Sequence, residues 1–213
     1  MIVIGLTGGS GCGKGYICKL FSDFGIQSAD ADKIYHGIIS KSDSPCLAEL
    51  TGYFGNEILK QDGTLNRSKL SEIVFAPGAE RALKYLNKTT HKYVLSDCRK
   101  WLYERKAAGD EMAIIDAPLL FESGFDRECD FVISIIADYD QRVKRLKERD
   151  GITEAQIQAR ISVQHTDVFF KEHSDYIIIN NDGLDICGQI SEILHGIRLK
   201  TNGTDRINSG GDN

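Results

Sequence analysis

Residues 1–17 read MIVIGLTGGSGCGKGYI, and this stretch decides the fold. Ile2 to Leu6 is an apolar run with strand character, and Ile17, Leu20, Phe21 and Phe24 fall on one face of a helix running from Lys14 to Phe24. Between them lie glycines at 8, 9, 11, 13 and 15. A strand, a glycine-rich turn and a helix in that order turn backbone N–H groups inward around an anion, with the positive end of the helix behind them. Lys14 is placed to reach terminal phosphates. The pattern is G-x-x-x-x-G-K, but Gly15 follows where a hydroxyl side chain is the usual Mg²⁺ ligand. Mg²⁺ keeps several waters and accepts phosphate oxygens, so Gly15 points to a metal held indirectly. A dinucleotide-binding turn is the rival reading. Asp30 and Asp32 stand near its expected acidic residue, but it has no use for Lys14.

The rest of the composition narrows the class. The chain has 213 residues, 41% of them hydrophobic, enough for one α/β domain with a substantial core. Lys and Arg number 26 against 31 Asp and Glu, a formal net charge of −5, so no global basic field recommends a nucleic-acid partner. The six cysteines include no C-x-x-C pair, the leading apolar run is too short for a signal peptide, and no run suits a membrane span. The expectation is a reducing, cytoplasmic location with no membrane contact. No histidine pair has H-x₃₋₅-H spacing, which argues against a zinc site.

Working outward, a short strand around Ile26 ends at DAD, Asp30 to Asp32, two carboxylates at a strand's carboxyl end, where open parallel sheets gather ligands. Residues of roughly 40 to 110 show no convincing strand. Helical signals such as Val94, Cys98, Trp101 and Leu102 make this segment a helical insertion. MAIIDAP (112–118) and FVISIIA (131–137) are continuous apolar strands, the mark of a parallel sheet covered on both faces. Two charged helical segments follow Asp138, joined at Asp150-Gly151 with Thr153 as a cap, and outline a lid over about 139–172. Tyr176 to Ile179 gives a fifth strand. Ile186, Ile190, Ile193, Leu194 and Ile197 form the buried stripe of a last helix, and 201–213 is expected to be a disordered tail.

Several side chains carry chemistry in this reading. Asp116, closing its strand, suits a residue that orients Mg²⁺-bound water, or else a turn former. Asp32 is a candidate base or a helix cap, and Asp30 is equally a candidate cap. In QRVKRLKERD, Arg142, Lys144 and Lys147 read as a solvated face, whereas Arg145 and Arg149, four apart, share a face and are placed to meet one phosphate. Cys12, near a helix start and Lys14, reads as a reactive thiolate if accessible, and otherwise as an inert thiol beneath the loop.

GLTGGSGCGKG, DAD at 30–32, DAPLLFESG at 116–124 and RDGITEAQIQARISVQ at 149–164, in this order, resemble the dephospho-coenzyme A kinase family. The likeness runs from residue 2 to about 197. It implies a P-loop kinase-like, three-layer α/β/α domain over 1–200 with a five-stranded parallel sheet, helical insertion and helical lid. It also implies phosphorylation of the ribose 3′-hydroxyl of dephospho-CoA using ATP and Mg²⁺, the metal held by Asp116 through water. By the same resemblance Lys14, Asp32 and Arg149 are catalytic. Gly8, Gly9, Gly11, Cys12, Gly13, Gly15 and Tyr16 join Lys14 around ATP, with Arg160 on the phosphates and Asn181 on the adenine side. The acceptor set is Thr7, Asp32 and His91 with Leu119, Leu120, Phe121 and Glu122.

The chain departs from the family pattern at Gly15, where Ser is usual, at Lys92 after His91, where Pro is usual, and at Asn180, where Asp is usual. A nucleoside monophosphate kinase is a second reading, but such enzymes follow G-K-G with an aliphatic hydroxyl residue, which Tyr16 is not. A nucleotide-gated switch protein is a third. It needs an N-K-x-D pattern that NKTT at 87–90 does not supply.

Overall fold

The computed structural model describes residues 1–208. Five strands, β1 (Ile2–Gly8), β2 (Gln27–Asp30), β3 (Met112–Asp116), β4 (Phe131–Ile136) and β5 (Tyr176–Ile179), form one sheet in the order β2-β3-β1-β4-β5. β1 pairs in parallel with β3 and β4, and β4 in parallel with β5. The central strands are buried almost throughout because helices cover both faces, which is why they read as continuous apolar runs rather than alternating ones.

The helices follow in chain order: α1 (Lys14–Asp23), α2 (Ala31–Ile39), α3 (Pro45–Phe54), α4 (Arg67–Val74), α5 (Glu80–Ala107), α6 (Leu120–Ser123), α7 (Tyr139–Asp150), α8 (Glu154–Ser162), α9 (Asp167–His173) and α10 (Ile186–Asn208). The described chain forms two compact units. One comprises residues 1–28 with 111 onward, and the other residues 29–110.

In the first unit, Ile4, Leu6, Ile114, Ile133 and Ile135 from the sheet pack with Ile17 and Phe21 of α1 and with Ile186, Ile190, Ile193, Leu194 and Ile197 of α10. The stripe read from the last helix is thus its buried face. α10 continues to Asn208, past residue 201, and the remainder of the expected tail, 209–213, lies outside the described residues. The hinge of the charged segments forms as its residues dictate. Gly151 takes a left-handed conformation after α7, and Thr153 with Gln156 makes a reciprocal capping box that starts α8.

The second unit is helical, starts at residue 29 rather than 40, and has its own core of Ile39, Cys46, Leu47, Leu50, Ile58, Leu65, Leu70 and Val74. Beyond the end of β2 at Asp30, an isolated bridge joins Leu59 and Leu65. No helix of the described residues is long and apolar enough to cross a membrane.

Candidate active site

β1 ends at Gly8 and α1 begins at Lys14, leaving Gly9–Gly13 as the turn between them. Gly13 caps α1 with φ 87°, in the left-handed region, and offers no side chain to the helix start. The first turn of α1 contains no acidic residue, so its positive end is uncompensated. Backbone N–H groups of Gly11, Gly13, Lys14 and Gly15 find no acceptor among the described residues, whereas Cys12 N–H closes onto the Gly9 carbonyl at 3.2 Å. Four open donors at an uncapped helix start make a cradle for an anion. Lys14 Nζ lies over the turn, donating to the Gly8 carbonyl at 3.3 Å. A Cβ on Gly15 would meet nothing within 4 Å, so this glycine is not demanded by packing.

Asn180, 6% exposed after β5, donates from Nδ2 to the Cys12 carbonyl at 2.8 Å, and its own carbonyl accepts Arg145 Nη1 at 2.9 Å. Its amide lies against Gly13 and leaves no room for a Cβ there. A cleft of about 360 Å³ opens beside this contact, lined among others by Gly13, Tyr16, Arg145, Asn181 and Leu184. Tyr16 and Asn181, both expected around the nucleotide, are therefore brought together. Asn181 is held by accepting the Asp138 backbone N–H at 2.9 Å.

Asp116 ends β3 opposite Leu6 of β1 and is 9% exposed. Cys18 Sγ donates to its Oδ2 at 3.5 Å. Burial, reinforced by this carboxylate, pushes the Cys18 thiol up to about 12. Thr7, fully buried, donates to the Pro118 carbonyl at 3.4 Å and so ties β1 to the segment after Asp116. No group of three or more His, Cys, Asp or Glu among the described residues is arranged to hold a metal. One buried carboxylate oxygen near the loop fits an ion carried mainly by phosphate and water, not a protein cage.

Three expectations are corrected by these positions, and one open alternative, at Cys12, is decided. Arg142 is buried, 7% exposed, because its guanidinium reaches the Ser10 carbonyl at 2.9 Å and Gln164 Oε1 at 3.2 Å. Lys144 and Lys147 do lie on the exposed side. Arg145 and Arg149 do not converge, since Arg145 turns to Asn180 and to Asp182 at 3.3 Å while Arg149 pairs with its neighbour Asp150 at 2.7 Å. Arg160 also binds Asp150, at 2.6 Å, and the two guanidiniums hold that carboxyl down at about 2. Cys12 is 1% exposed and burial pushes its thiol up, so the inert-thiol alternative holds. Leu120 is fully buried against Gly5 and belongs to the core, while Leu119 is half exposed.

The ring of Phe121 meets Phe169 edge-on at 5.2 Å, and Glu122 lies 3.4 Å from His165, which stacks on Phe169 at 3.7 Å. In the helical unit Asp30 is the cap of α2, accepting the Lys33 N–H at 3.0 Å, which leaves the exposed Asp32 free of that duty. His91 lies partly buried on α5, beside Lys92, which pairs with Glu49 at 2.8 Å. The sequence alone assigns no site role to Asn180, Ser10 or Gln164. Gln164 closes the RISVQ stretch, but nothing in its spacing says that it reaches residue 10.

A glycine loop between the central strand of a parallel sheet and an uncapped helix, with a lysine over the cradle, defines a P-loop kinase. Comparison with known proteins is more particular. The family model for dephospho-CoA kinase matches residues 2–185, so the chain belongs to the dephospho-CoA kinase family. The dephospho-CoA kinase of Corynebacterium glutamicum is 36% identical over 203 residues, covering 95% of this chain and all of the relative. That of Corynebacterium efficiens is 39% identical, covering 85% and 89%. Among solved structures, TT1252 from Thermus thermophilus superposes with a TM-score of 0.76 at 23% identity, covering 92% of this chain and 96% of that one. The dephospho-CoA kinase from Campylobacter jejuni gives a TM-score of 0.66 at 24% identity, covering 93% and 98%. These two likenesses speak for the fold.

Proposed function

We propose that this chain transfers the terminal phosphoryl group of ATP to the ribose 3′-hydroxyl of dephospho-CoA, giving CoA and ADP. The observation that carries the reading is the cradle of four open backbone donors, Gly11, Gly13, Lys14 and Gly15, at the uncapped start of α1. Phosphoryl transfer asks chiefly for in-line positioning and neutralisation of charge, and backbone donors fixed by packing supply both without reorganising. Lys14, now on the Gly8 carbonyl, would exchange that weak partner for phosphate oxygens. Tyr16 and Asn181 would take the nucleoside in the adjoining cleft. Asp32, relieved of capping by Asp30, would receive the acceptor's proton. Arg149 and Arg160 would leave Asp150 for the phosphates.

Asp116 fits a Mg²⁺ ion held through water. When bound, the ion would screen charge between the phosphates. Gly15 adds no ligand, and the carboxylate and the phosphate oxygens would have to suffice. His91, Leu119, Phe121 and Glu122 remain the proposed acceptor contacts.

The test is ADP release measured with dephospho-CoA, AMP, CMP or no acceptor. Stimulation by dephospho-CoA alone is the expected result. Equal turnover with a nucleoside monophosphate, or ATP hydrolysis indifferent to every acceptor, would sink the reading.

A further inference from the structure

Ser10 is held at three points by two side chains that enter from opposite ends of the lid segment. Its N–H donates to Gln164 Oε1 at 2.9 Å, its hydroxyl accepts Gln164 Nε2 at 3.0 Å, and its carbonyl accepts Arg142 Nε at 2.9 Å. Arg142 Nη2 then closes a ring by donating to Gln164 Oε1 at 3.2 Å. The ring passes over Gly9, where a Cβ would stand 2.5 Å from Arg142 Nη2. Arg142 sits in the first turn of α7, and Gln164 follows the end of α8, so the two roots of the α7–α8 hairpin grip a single loop residue. The donors so consumed are not those of the cradle. Ser10 N–H is taken, while Gly11, Gly13, Lys14 and Gly15 stay open.

We propose that Arg142 and Gln164 are positioning residues for ATP, clamping the apex of the phosphate loop so that its open amides keep one spacing, and tying that spacing to the base of the lid. The proposal rests on the reading of the loop as the ATP site. A glycine-rich turn has many conformations available, and a cradle that must be frozen on binding loses affinity by the cost of freezing it. The buried guanidinium and the two-point amide hold meet that cost in the folded protein. Arg142 thus gains a reason to be buried without a carboxylate beside it in the ring. Its charge is spent on a carbonyl and an amide oxygen, both dipoles it orients.

The test is steady-state kinetics on Gln164→Ala, Ser10→Ala, Arg142→Lys and Gln164→Glu, with melting temperatures measured alongside. Gln164→Ala removes two hydrogen bonds to Ser10 and is expected to raise KM for ATP about tenfold, with kcat and KM for dephospho-CoA changed less than about twofold. Ser10→Ala, which deletes only the hydroxyl acceptor, shifts KM for ATP the same way by less. Gln164→Glu keeps the acceptor for Ser10 N–H and Arg142 but loses the Nε2 donor and sets a carboxylate beside the loop, so KM for ATP is expected to stay raised while the melting temperature recovers. Arg142→Lys combined with Gln164→Ala is no worse than the larger single change, because both act on one residue. The clamp is refuted if Gln164→Ala and Ser10→Ala leave KM for ATP unchanged, or if the paired losses multiply, or if both substrates' KM values move together. Lys14→Met separates the two readings: normal turnover in that variant overturns the loop as ATP site, whereas lost turnover with a silent Gln164→Ala overturns the clamp alone.

Discussion

Asn180 Nδ2 lies 2.8 Å from the carbonyl oxygen of Cys12, a contact that joins positions 168 apart in the chain and fixes the middle of the phosphate loop to the end of β5. Both groups are buried, so neither has water as an alternative partner. Asn180→Ala strands the Cys12 carbonyl and should destabilise by about 1–3 kcal/mol, lowering the melting temperature by several degrees. It should also raise KM for ATP, since the loop loses an anchor. An unchanged melting temperature would mean that water replaces the amide.

Lys14→Met should cut kcat by about 10²-fold or more while leaving the melting temperature within a degree or two. The ammonium makes one long bond, 3.3 Å, to the Gly8 carbonyl, so little of the fold depends on it. Circular dichroism and ADP release on one preparation check both halves.

The two aspartates at the start of α2 should separate cleanly. Asp32→Asn is expected to lower kcat by roughly 10²–10⁴-fold with KM for ATP nearly unchanged, the signature of a lost base. Asp30→Ala removes the cap on Lys33 N–H and should cost about 1 kcal/mol of stability with a lesser effect on rate. If Asp32→Asn is silent, the carboxylate is no base.

Gly15→Ser should be tolerated, since a Cβ there meets open space and Ser is no worse than Gly in a helix's first turn. The added hydroxyl is expected to lower the Mg²⁺ concentration needed for half-maximal rate. Loss of ATP binding in a titration would show that the glycine backbone itself is required.

Thiol chemistry should pass Cys12 by. Mild alkylation near pH 8 should modify Cys187, which is exposed, and leave Cys12 and Cys18 intact, with turnover retained. For Cys18 the neutral thiol is favoured by folding, from a usual value of 9.0 up to about 12. The associated stability is present below pH 9 and drains away as pH rises from 9 toward 12, because the unfolded chain releases its proton first. Cys18→Ala should therefore flatten the alkaline fall in melting temperature, and mass mapping that finds Cys12 labelled first would contradict its burial.

The parts of this architecture visible in the sequence are those written in nearest neighbours. Continuous apolar runs announce β3 and β4, a stripe of isoleucines announces α10, and a glycine cluster before Lys14 announces the loop. Hidden were the polar contacts that close over that loop, because Ser10 meets Arg142 and Gln164 across 132 and 154 positions, and no periodicity records such a meeting. Arg142 misled for a definite reason. In a charged helix a lone arginine beside Val143 and Leu146 looks solvated until a carbonyl is found for it. Arg145 and Arg149 do share a helical face, but long side chains choose the nearest acceptor, and each had its own.

Asp150 holds Arg149 through two nitrogens and Arg160 through one, all at the surface where α7 turns into α8. Exposed pairs of this kind are weak, so both guanidiniums can be drawn away from Asp150 at little cost. If Arg149 and Arg160 serve the phosphates as proposed, this turn would act as an ion exchanger already loaded with a counter-ion: a polyphosphate would not have to lure two loose cations from water but only outbid one carboxylate. On that proposal an anion carrying a single charge would offer no more than Asp150 does, and the hinge would discriminate by valence before any base or sugar is read.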